Sequence, residues 1–193
     1  TLTGADGTLY VLDWNNHRLR RLTPEGMLAW VAGRGELGGT LDDPMNGDFN
    51  HPTNIIFDQS GDNILMAAWH NSKVRIINRA NGEIHDTCGD GKRAYFGDDG
   101  PAMKASLDLP ASLAFDPAGN LVIMDQANQV LRYVDSAGDI HRLAGRCVVD
   151  APEPGLLDAQ RGERVEVAGM VGEVDALPRL RGSTLPAGVR PDE

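Results

Sequence analysis

Residues 109–145 read LPASLAFDPAGNLVIMDQANQVLRYVDSAGDIHRLAG and align with two earlier segments of the chain. Those segments are GTLYVLDWNNHRLRRLTPEGMLAWVAG at 7–33 and DNILMAAWHNSKVRIINRANGEIHDTCG at 62–89. Each copy contains an Asn, an Arg and a closing Gly, and equivalent anchors lie 55 to 57 residues apart. The anchors are Asn16, Asn71 and Asn128; Arg20, Arg75 and Arg132; and Gly33, Gly89 and Gly145. Anchors that keep register in three copies identify an internal repeat.

Each copy predicts four short β-strands. In the third copy, an apolar stretch at 112–116 and a Gly-containing turn lead to the apolar run LVIMD at 121–125. The alternating run VLRYV at 130–134 and a last stretch at 139–145 follow. β-branched and aromatic residues between closely spaced turns favour strands over helices. Four antiparallel strands in a unit of roughly 50 residues match one blade of a β-propeller. The sequence therefore predicts an all-β fold, a partial β-propeller built of four-stranded antiparallel blades.

The repeat also predicts how the chain is divided. We expect blades at about residues 4–33, 50–89 and 108–145, with a linker at 90–107. The first blade is expected to be incomplete, because its second strand begins at Leu9 and leaves no room for an opening strand. Closed propellers have roughly four to eight blades. The chain is therefore expected to hold only part of a ring.

Residues 147–193 differ from the repeats in composition. They contain no aromatic residue and no Asn, His or Lys, and no fourth copy of the repeat. We expect a disordered or loosely packed tail. Two alternatives stay open: a tail translated out of the original frame, and a small β segment around ERVEVAGMVGEV at 163–174.

Charge and composition exclude several classes of protein. The 193 residues carry 18 Lys and Arg against 28 Asp and Glu, a net charge of −10. A general nucleic-acid binder needs a basic surface to displace phosphate counterions, so this balance argues against one. No apolar stretch approaches the roughly 20 residues of a membrane span. The two cysteines lack the spacing of a zinc site, and Cys88 is expected to be a small buried hydrophobe, with pairing to Cys147 left open.

The third copy resembles the NHL repeats of β-propeller proteins. It has a Pro-led first strand, a second strand that ends in Asp125, Asn-x-x-x-Arg spacing and a closing Ala-Gly. The linker GDGKRAYFGDDGPAMKASLDLP at 89–110 is similar to the interblade linker of bacterial NHL repeat-containing proteins. The matching linker residues are Gly97, Asp98, Asp99, Gly100, Pro101, Ala102, Ala105, Leu107 and Pro110. The resemblance covers about residues 4–146. The second copy departs from it, because Ala68 stands where the other copies have Asp13 and Asp125.

The resemblance implies a fold more firmly than it implies an activity. NHL-like propellers include modules that bind protein or RNA, extracellular sensor domains and a zinc-dependent peptide-amidating lyase. Related six-bladed propellers include metal-dependent lactonases. The resemblance also implies a secreted or periplasmic bacterial setting. It implies that Asp13 and Asp125 cap loop backbone and pair with Arg20 and Arg132, and the alternative role of these carboxylates is metal or substrate ligation.

The loops between second and third strands carry residues suited to recognition. Their sequences are WNNH at 14–17, WHNS at 69–72 and QANQ at 126–129, and in propellers such loops lie together on one face. Exposed Trp rings can stack on a ligand while amides and imidazoles satisfy its polar groups. We expect a ligand-binding surface formed by Trp14, Asn15, His17, His51, Trp69, His70 and Gln126. The alternative is that both Trp side chains pack between adjacent blades as core.

Catalytic motifs are absent from the sequence. No G-x-S-x-G elbow, P-loop or dinucleotide-binding motif occurs. A catalytic zinc needs three ligands, and His17, His51 and His70 lie near strands that approach a propeller axis, but no H-x-x-x-H spacing supports them. The paired acids of GDDG at 97–100 favour turn chemistry over calcium binding. We predict no catalytic residue, no metal and no cofactor. The histidines expected in outer strands are His85 and His141.

The sequence as a whole predicts non-catalytic recognition. We expect a scaffold that binds a protein, peptide or glycan through the loop face of the propeller. Nucleic acid is not an expected partner, whereas the remaining blades of a larger propeller or a second copy of the chain are. The alternative is an enzyme, a metal-dependent lyase or lactonase with its metal on the propeller axis.

Overall fold

The computed structural model describes residues 1–39 and 47–145 of the chain, which form three antiparallel β-sheets. The predictions made for the tail at 147–193 and for Cys147 lie outside the described residues. No helix in the described residues is long and apolar enough to cross a membrane.

The first two sheets have four strands each, paired in chain order. The strands of the first sheet are β1 (Leu2–Thr3), β2 (Leu9–Asp13), β3 (Arg18–Leu22) and β4 (Leu28–Ala32). Those of the second are β5 (Asn54–Phe57), β6 (Asn63–Ala68), β7 (Lys73–Asn78) and β8 (Ile84–Cys88). A short 3-10 turn, Trp69–Asn71, connects β6 to β7.

The third sheet repeats this order and has a fifth strand that comes from the preceding linker. Its strands are β9 (Gly100–Pro101), β10 (Pro110–Phe115), β11 (Leu121–Asp125), β12 (Val130–Val134) and β13 (Asp139–Gly145). The β9 strand pairs antiparallel with β13, placing Pro101 opposite Asp139. A second 3-10 turn, Ala102–Lys104, follows β9. The predicted four-stranded antiparallel blades are confirmed in all three copies.

The opening strand of the first blade is short rather than absent. Leu2 pairs with Tyr10 and Thr3 pairs with Leu9, so β1 has two residues where β5 has four and β10 has six. The expectation that the residues before Leu9 leave no room for such a strand was too strict. The blade remains the least complete of the three.

The hydrophobic core lies between successive sheets. Side chains alternate along a strand, so an apolar run can fill two interfaces at once. Along β6, Ile64 and Met66 pack in a cluster with residues of the first sheet such as Tyr10. Leu65 on the same strand packs in a second cluster with residues of the third sheet such as Ile123. Burial on both faces explains why the second strand of the repeat is almost continuously apolar.

The closing Gly of each copy is required by close backbone contact. Gly89 and Gly145 have φ values of 93° and 91°, in the region that favours glycine. A Cβ atom on either residue would lie 2.5 Å from a carbonyl oxygen, that of Ser72 or of Gln129. These two partners end the loops before β7 and β12 and are themselves left-handed, with φ of 52° and 57°. The repeated Gly therefore closes each blade against its own loop.

Buried polar contacts of Asp125 and Arg132 tie the third blade to the linker before it. In the third blade, Arg132 is fully buried and its Nη1 lies 3.3 Å from Oδ2 of Asp125. Asp125 also accepts hydrogen bonds of 2.8 Å from the Asn128 side chain and from the backbone N–H of Asp108. The carboxylate thus caps loop backbone and pairs with the arginine, the arrangement that the resemblance implies.

The second blade achieves the same pairing with a different residue. Ala68 occupies the position of the missing carboxylate, and Arg75 pairs instead with Asp86 of β8, at 3.1 Å from Nε to Oδ1. Lys73 forms a further ion pair with Asp86. Arg75 is therefore paired even though the second copy has Ala68 in place of the Asp.

Candidate functional site

The loops between second and third strands place their aromatic and polar residues next to one another. The β2–β3 loop carries Trp14 and His17, and the 3-10 turn carries Trp69 and His70. His51 comes from the segment before β5 and lies between the two loops. We call the seven residues predicted to bind ligand the aromatic loop surface; they are Trp14, Asn15, His17, His51, Trp69, His70 and Gln126.

A chain of ring contacts runs through this surface with His51 at its centre. The His51 ring lies 4.7 Å from Trp14, 4.9 Å from His17 and 4.9 Å from His70 between ring centroids. His70 stacks on Trp69 at 4.2 Å with an interplanar angle of 18°. Five of the seven predicted residues are therefore in direct ring contact.

The third blade joins the surface through one hydrogen bond. The indole Nε1 of Trp69 donates to Oε1 of Gln126 at 3.0 Å, which connects the second and third blades. Asn15 is exposed in the β2–β3 loop beside Trp14. Residues from three successive blades thus contribute to the aromatic loop surface.

Asn50 organises the two histidines and was missed by sequence reasoning. Its Oδ1 lies 2.8 Å from Nδ1 of His51 and 3.3 Å from Nδ1 of His70. Because an amide oxygen can only accept, both Nδ1 atoms carry the hydrogen in this arrangement, and each Nε2 of a neutral ring is left as an acceptor. The backbone N–H of Asn50 donates to the side chain of Asn71 at 3.1 Å. The signal lay outside the repeat loops, in the alignment of Asn-His-Pro at 50–52 with Asp-Leu-Pro at 108–110.

Two histidines of this cluster, His17 and His70, have pKa values that are lowered from the ordinary value of a histidine. Burial lowers the pKa of His17, and the neighbouring His51 lowers it further. Burial also lowers the pKa of His70, with smaller contributions from His51 and Arg93. His17 is only 9% exposed, and its Nδ1 has no hydrogen-bond partner. The lowered pKa values favour uncharged rings for His17 and His70 near pH 7.

The alternative prediction, in which both tryptophans pack as core between adjacent blades, does not describe these side chains. Trp14 is 45% exposed, and its ring faces His51 at the surface. Trp69 is half-buried and bridges the loops of two blades through Gln126. Neither belongs to the buried clusters between the sheets. Both rings therefore remain close to solvent.

The acidic residues and outer-strand histidines that were considered as metal ligands form hydrogen bonds or ion pairs with other side chains. Asp98 of the GDDG segment accepts a 2.8 Å hydrogen bond from Nε of Arg132. His141 lies between Asp99 and Asp135, at 2.8 and 3.1 Å, so it ties the linker to the third blade. His85 lies 3.0 Å from Glu83 in an exposed pair.

A metal does not fit the side chains of the described ranges. Within residues 1–39 and 47–145, no group of three His, Cys, Asp or Glu side chains is arranged to hold a metal ion. His51 and His70 point one ring nitrogen each at Asn50, and His17 contacts His51 edge to face. The arrangement is suited to stacking and hydrogen bonding rather than to coordination.

Comparison with known proteins supports the fold. No protein-family model matches the chain, and no curated protein matches it. An auxiliary nutrient binding protein from Bacteroides thetaiotaomicron has a TM-score of 0.55 and 17% identity, covering 74% of this chain and 34% of that one. Another from Bacteroides ovatus has a TM-score of 0.53 and 16% identity, covering 73% and 34%.

A third solved structure, a Bacteroides thetaiotaomicron protein of unknown function, has a TM-score of 0.52 and 21% identity over 61% of this chain and 30% of that chain. The chain spans about a third of the length of these three structures. Such neighbours are β-propeller-like proteins. The described residues therefore have the fold of a partial β-propeller built of four-stranded antiparallel blades.

Proposed function

We propose that the aromatic loop surface is a recognition site for a protein, peptide or glycan. The observation that carries the proposal is the unbroken line of ring contacts from Trp14 through His51 and His70 to Trp69. Rings from two blades form one surface, and Gln126 adds an amide from the third. Ligand sites commonly combine apolar rings with a few polar groups that fix orientation.

The chemistry of the surface favours an uncharged part of a ligand. The exposed face of Trp14 can stack on a sugar ring or an aromatic side chain. The Nε2 atom of His70, left as an acceptor when Nδ1 donates to Asn50, suits a hydroxyl or amide donor. The neighbouring solved structures that are described as auxiliary nutrient binding proteins agree with a binding role for this fold.

We also infer that the blades are of the NHL type. The support comes from the repeated Asn, Arg and closing Gly, and from the roles that these anchors have in the structure. Arg132 pairs with Asp125, and Gly145 closes the blade against its own loop. A family assignment of this kind leaves the ligand undetermined, because one fold hosts many functions.

The alternative, a metal-dependent lyase or lactonase, needs ligands that converge on one point. His17, His51 and His70 are adjacent, but their rings contact one another in series and two of them are engaged by Asn50. Nothing in the described residues favours this alternative over recognition.

Binding arrays followed by calorimetry would test the proposal. The purified chain would be screened against immobilised glycans and peptides, and each ligand titrated into wild type, Trp14→Ala and Trp30→Ala. Trp30 is a matched control, because it is 54% exposed on a different strand, β4. We expect Trp14→Ala to weaken binding about tenfold or more and Trp30→Ala to leave it unchanged. Absence of any ligand, or equal binding by the Trp14 variant, would contradict the proposal.

A further inference from the structure

A cleft of about 460 Å³ lies between the first two blades, with described residues of both blades as its walls. Strands pair antiparallel in chain order, so the turns that line this cleft are at the opposite end of each blade from the β2–β3 and β6–β7 loops. The cleft is therefore separate from the aromatic loop surface. We call it the turn cleft. Its polar lining includes Asp6, Thr8, Arg21 and Thr23 of the first blade and Asp62 and Arg79 of the second.

Two arginines, one from each blade, face the turn cleft. Arg21 and Arg79 also line a smaller cleft of about 170 Å³, so they share both spaces. Arg21 is exposed and forms no hydrogen bond or ion pair with any residue in the described ranges. Its guanidinium group is therefore available to a ligand.

Arg79 is held in place by aromatic and backbone groups. Its Nε donates to the hydroxyl oxygen of Tyr10 at 2.8 Å, and its Nη1 donates to the carbonyl oxygen of Gly61. The guanidinium carbon lies 5.1 Å from the centre of the Tyr10 ring and 4.9 Å from that of Phe57. Nη2 lies 3.9 Å from Oδ2 of Asp6 and makes no hydrogen bond within the described part of the chain. A fixed guanidinium group thus retains N–H donors that have no acceptor.

The repeat explains neither arginine. Counted from the anchor arginine of each copy, Arg21 corresponds to Ile76 in the second copy, and Arg79 corresponds to Ser136 in the third. The groove between the second and third blades therefore has Ile76 and Ser136 in these two places, and Ile76 packs against the buried cluster. Two cations on facing walls are particular to the turn cleft and are not part of the framework of the blades.

The turn cleft also contains two carboxylates. A hydrogen bond from the backbone N–H of Thr8 is the main cause that lowers the pKa of Asp6, so this group is ionised at neutral pH. Asp62 lines the same cleft from the second blade. Carboxylates accept hydrogen bonds from hydroxyl groups and repel anions. A polyanion such as nucleic acid is therefore a poor ligand for this cleft, whereas a single phosphate on a hydroxylated molecule suits it.

We propose that the turn cleft binds a small phosphorylated carbohydrate. The phosphate group accepts hydrogen bonds from Arg21 and Arg79, and sugar hydroxyl groups donate to Asp6 and Asp62. Guanidinium groups bind phosphate oxygens through paired N–H donors. A phosphate monoester carries nearly two negative charges at pH 7, which two arginines balance.

Titration of the labelled full chain, followed by two-dimensional NMR in a phosphate-free buffer, would test the proposal. The probe is glucose 6-phosphate, and glucose and inorganic phosphate are titrated separately. We expect saturable binding of glucose 6-phosphate, with each of the two smaller probes binding about tenfold more weakly or less tightly still. This comparison separates recognition of the whole molecule from attraction of any anion.

Variants on the two faces of one strand make the test specific. Arg21→Ala should weaken binding of glucose 6-phosphate about tenfold or more, and its exposed side chain has no partner in the described ranges whose loss would unfold the protein. Arg20→Ala is the matched control, because this neighbour has the same charge on the other face of β3 and should leave binding unchanged. Asp62→Asn should weaken binding of glucose 6-phosphate without weakening that of inorganic phosphate.

Four results would overturn the proposal. These are absence of saturable binding at about 10 mM glucose 6-phosphate, equal binding by Arg21→Ala, an equal loss in Arg20→Ala, and equal affinity for inorganic phosphate and glucose 6-phosphate. The aromatic loop surface does not take part in any of these measurements. Failure of this proposal would therefore leave the proposed function untouched.

Discussion

A buried guanidinium is stable only when its charge is paired with a carboxylate and its N–H groups have acceptors. Arg132 meets this condition with two carboxylates and two carbonyl oxygens, and it is fully enclosed. Arg20 has one carboxylate and is open to solvent on one side. Removal of a buried partner leaves an uncompensated charge, whereas an exposed pair contributes little because water replaces it. The same residue type is therefore expected to have very different energetic roles in different blades.

Arg132→Ala should lower the free energy of unfolding by about 3–5 kcal/mol, since Asp125 and Asp98 would lose their shared cation. Arg20→Ala, at the equivalent position, should lower it by about 1 kcal/mol or less. Urea denaturation followed by circular dichroism measures both. Similar losses for the two variants would contradict the role given to the buried cluster.

His141 should make stability depend on pH near neutrality. Hydrogen bonds to Asp99, and then to Asp135, raise its pKa above the ordinary value of about 6.5. A raised pKa means that the folded state favours the charged ring. This stabilisation is complete below pH 6.5 and is lost as the pH rises through the folded-state pKa. The melting temperature of wild type should fall across that window relative to His141→Asn, and parallel profiles would contradict the prediction.

At the scale of elements, the second blade shows that a carboxylate can move to another strand. In the first and third blades, Asp ends the second strand, whereas in the second blade Asp86 of β8 pairs with the arginine of β7. Arg75 and Asp86 lie directly opposite each other on the paired strands β7 and β8. The carboxylate therefore comes from the strand on the other side of β7 from β6. The pairing depends on adjacency in the sheet rather than on spacing along the chain.

Moving the carboxylate back should restore the pairing. Asp86→Ala alone should destabilise the protein by about 3 kcal/mol, because Arg75 is fully buried. Adding Ala68→Asp should recover part of that loss, since residue 68 has the position of Asp125 in the third copy. Denaturation of the two variants and of the double variant gives the coupling energy. A double variant less stable than Asp86→Ala would show that β6 has no space for the carboxylate.

At the scale of the whole molecule, two separate core clusters connect three sheets. One lies between the first and second sheets and contains Leu19, and the other lies between the second and third and contains Ile123 and Cys88. Stacked repeats contact only their neighbours, so each interface contributes separately to stability. Burial raises the pKa of Cys88 to about 12. This thiol therefore reports on the opening of the second interface only.

Alkylation of Cys88 by iodoacetamide should be slow in the folded protein and faster in Ile123→Ala, which opens a cavity in the same buried cluster. The equivalent change in the other interface, Leu19→Ala, should accelerate labelling much less. Peptide mass spectrometry distinguishes label on Cys88 from label elsewhere. Equal acceleration by the two variants would show that the three sheets unfold as a single unit.

Much of this architecture could be predicted from the repeat, because its anchors perform the same local task in every copy. Gly89 and Gly145 close a blade, and Arg132 binds its own linker. The contact of Asn50 with His70 could not be predicted, since Asn50 precedes β5 and the His70 ring lies twenty residues further along the chain. The substitution of Asp86 for a carboxylate at residue 68 was also unpredictable, because strand pairing rather than sequence distance brings it to Arg75.

The sequence by itself determined that the chain is all-β, that its strands form antiparallel blades, and which loops lie on one face. Periodicity and turn residues are local properties, and three copies made them unambiguous. Only the tertiary structure decided that His51 is in contact with Trp14, His17 and His70, and that Arg20 is left open while Arg75 and Arg132 are enclosed. Contacts between blades depend on how sheets stack, and no pattern within one repeat specifies which side chains meet across them.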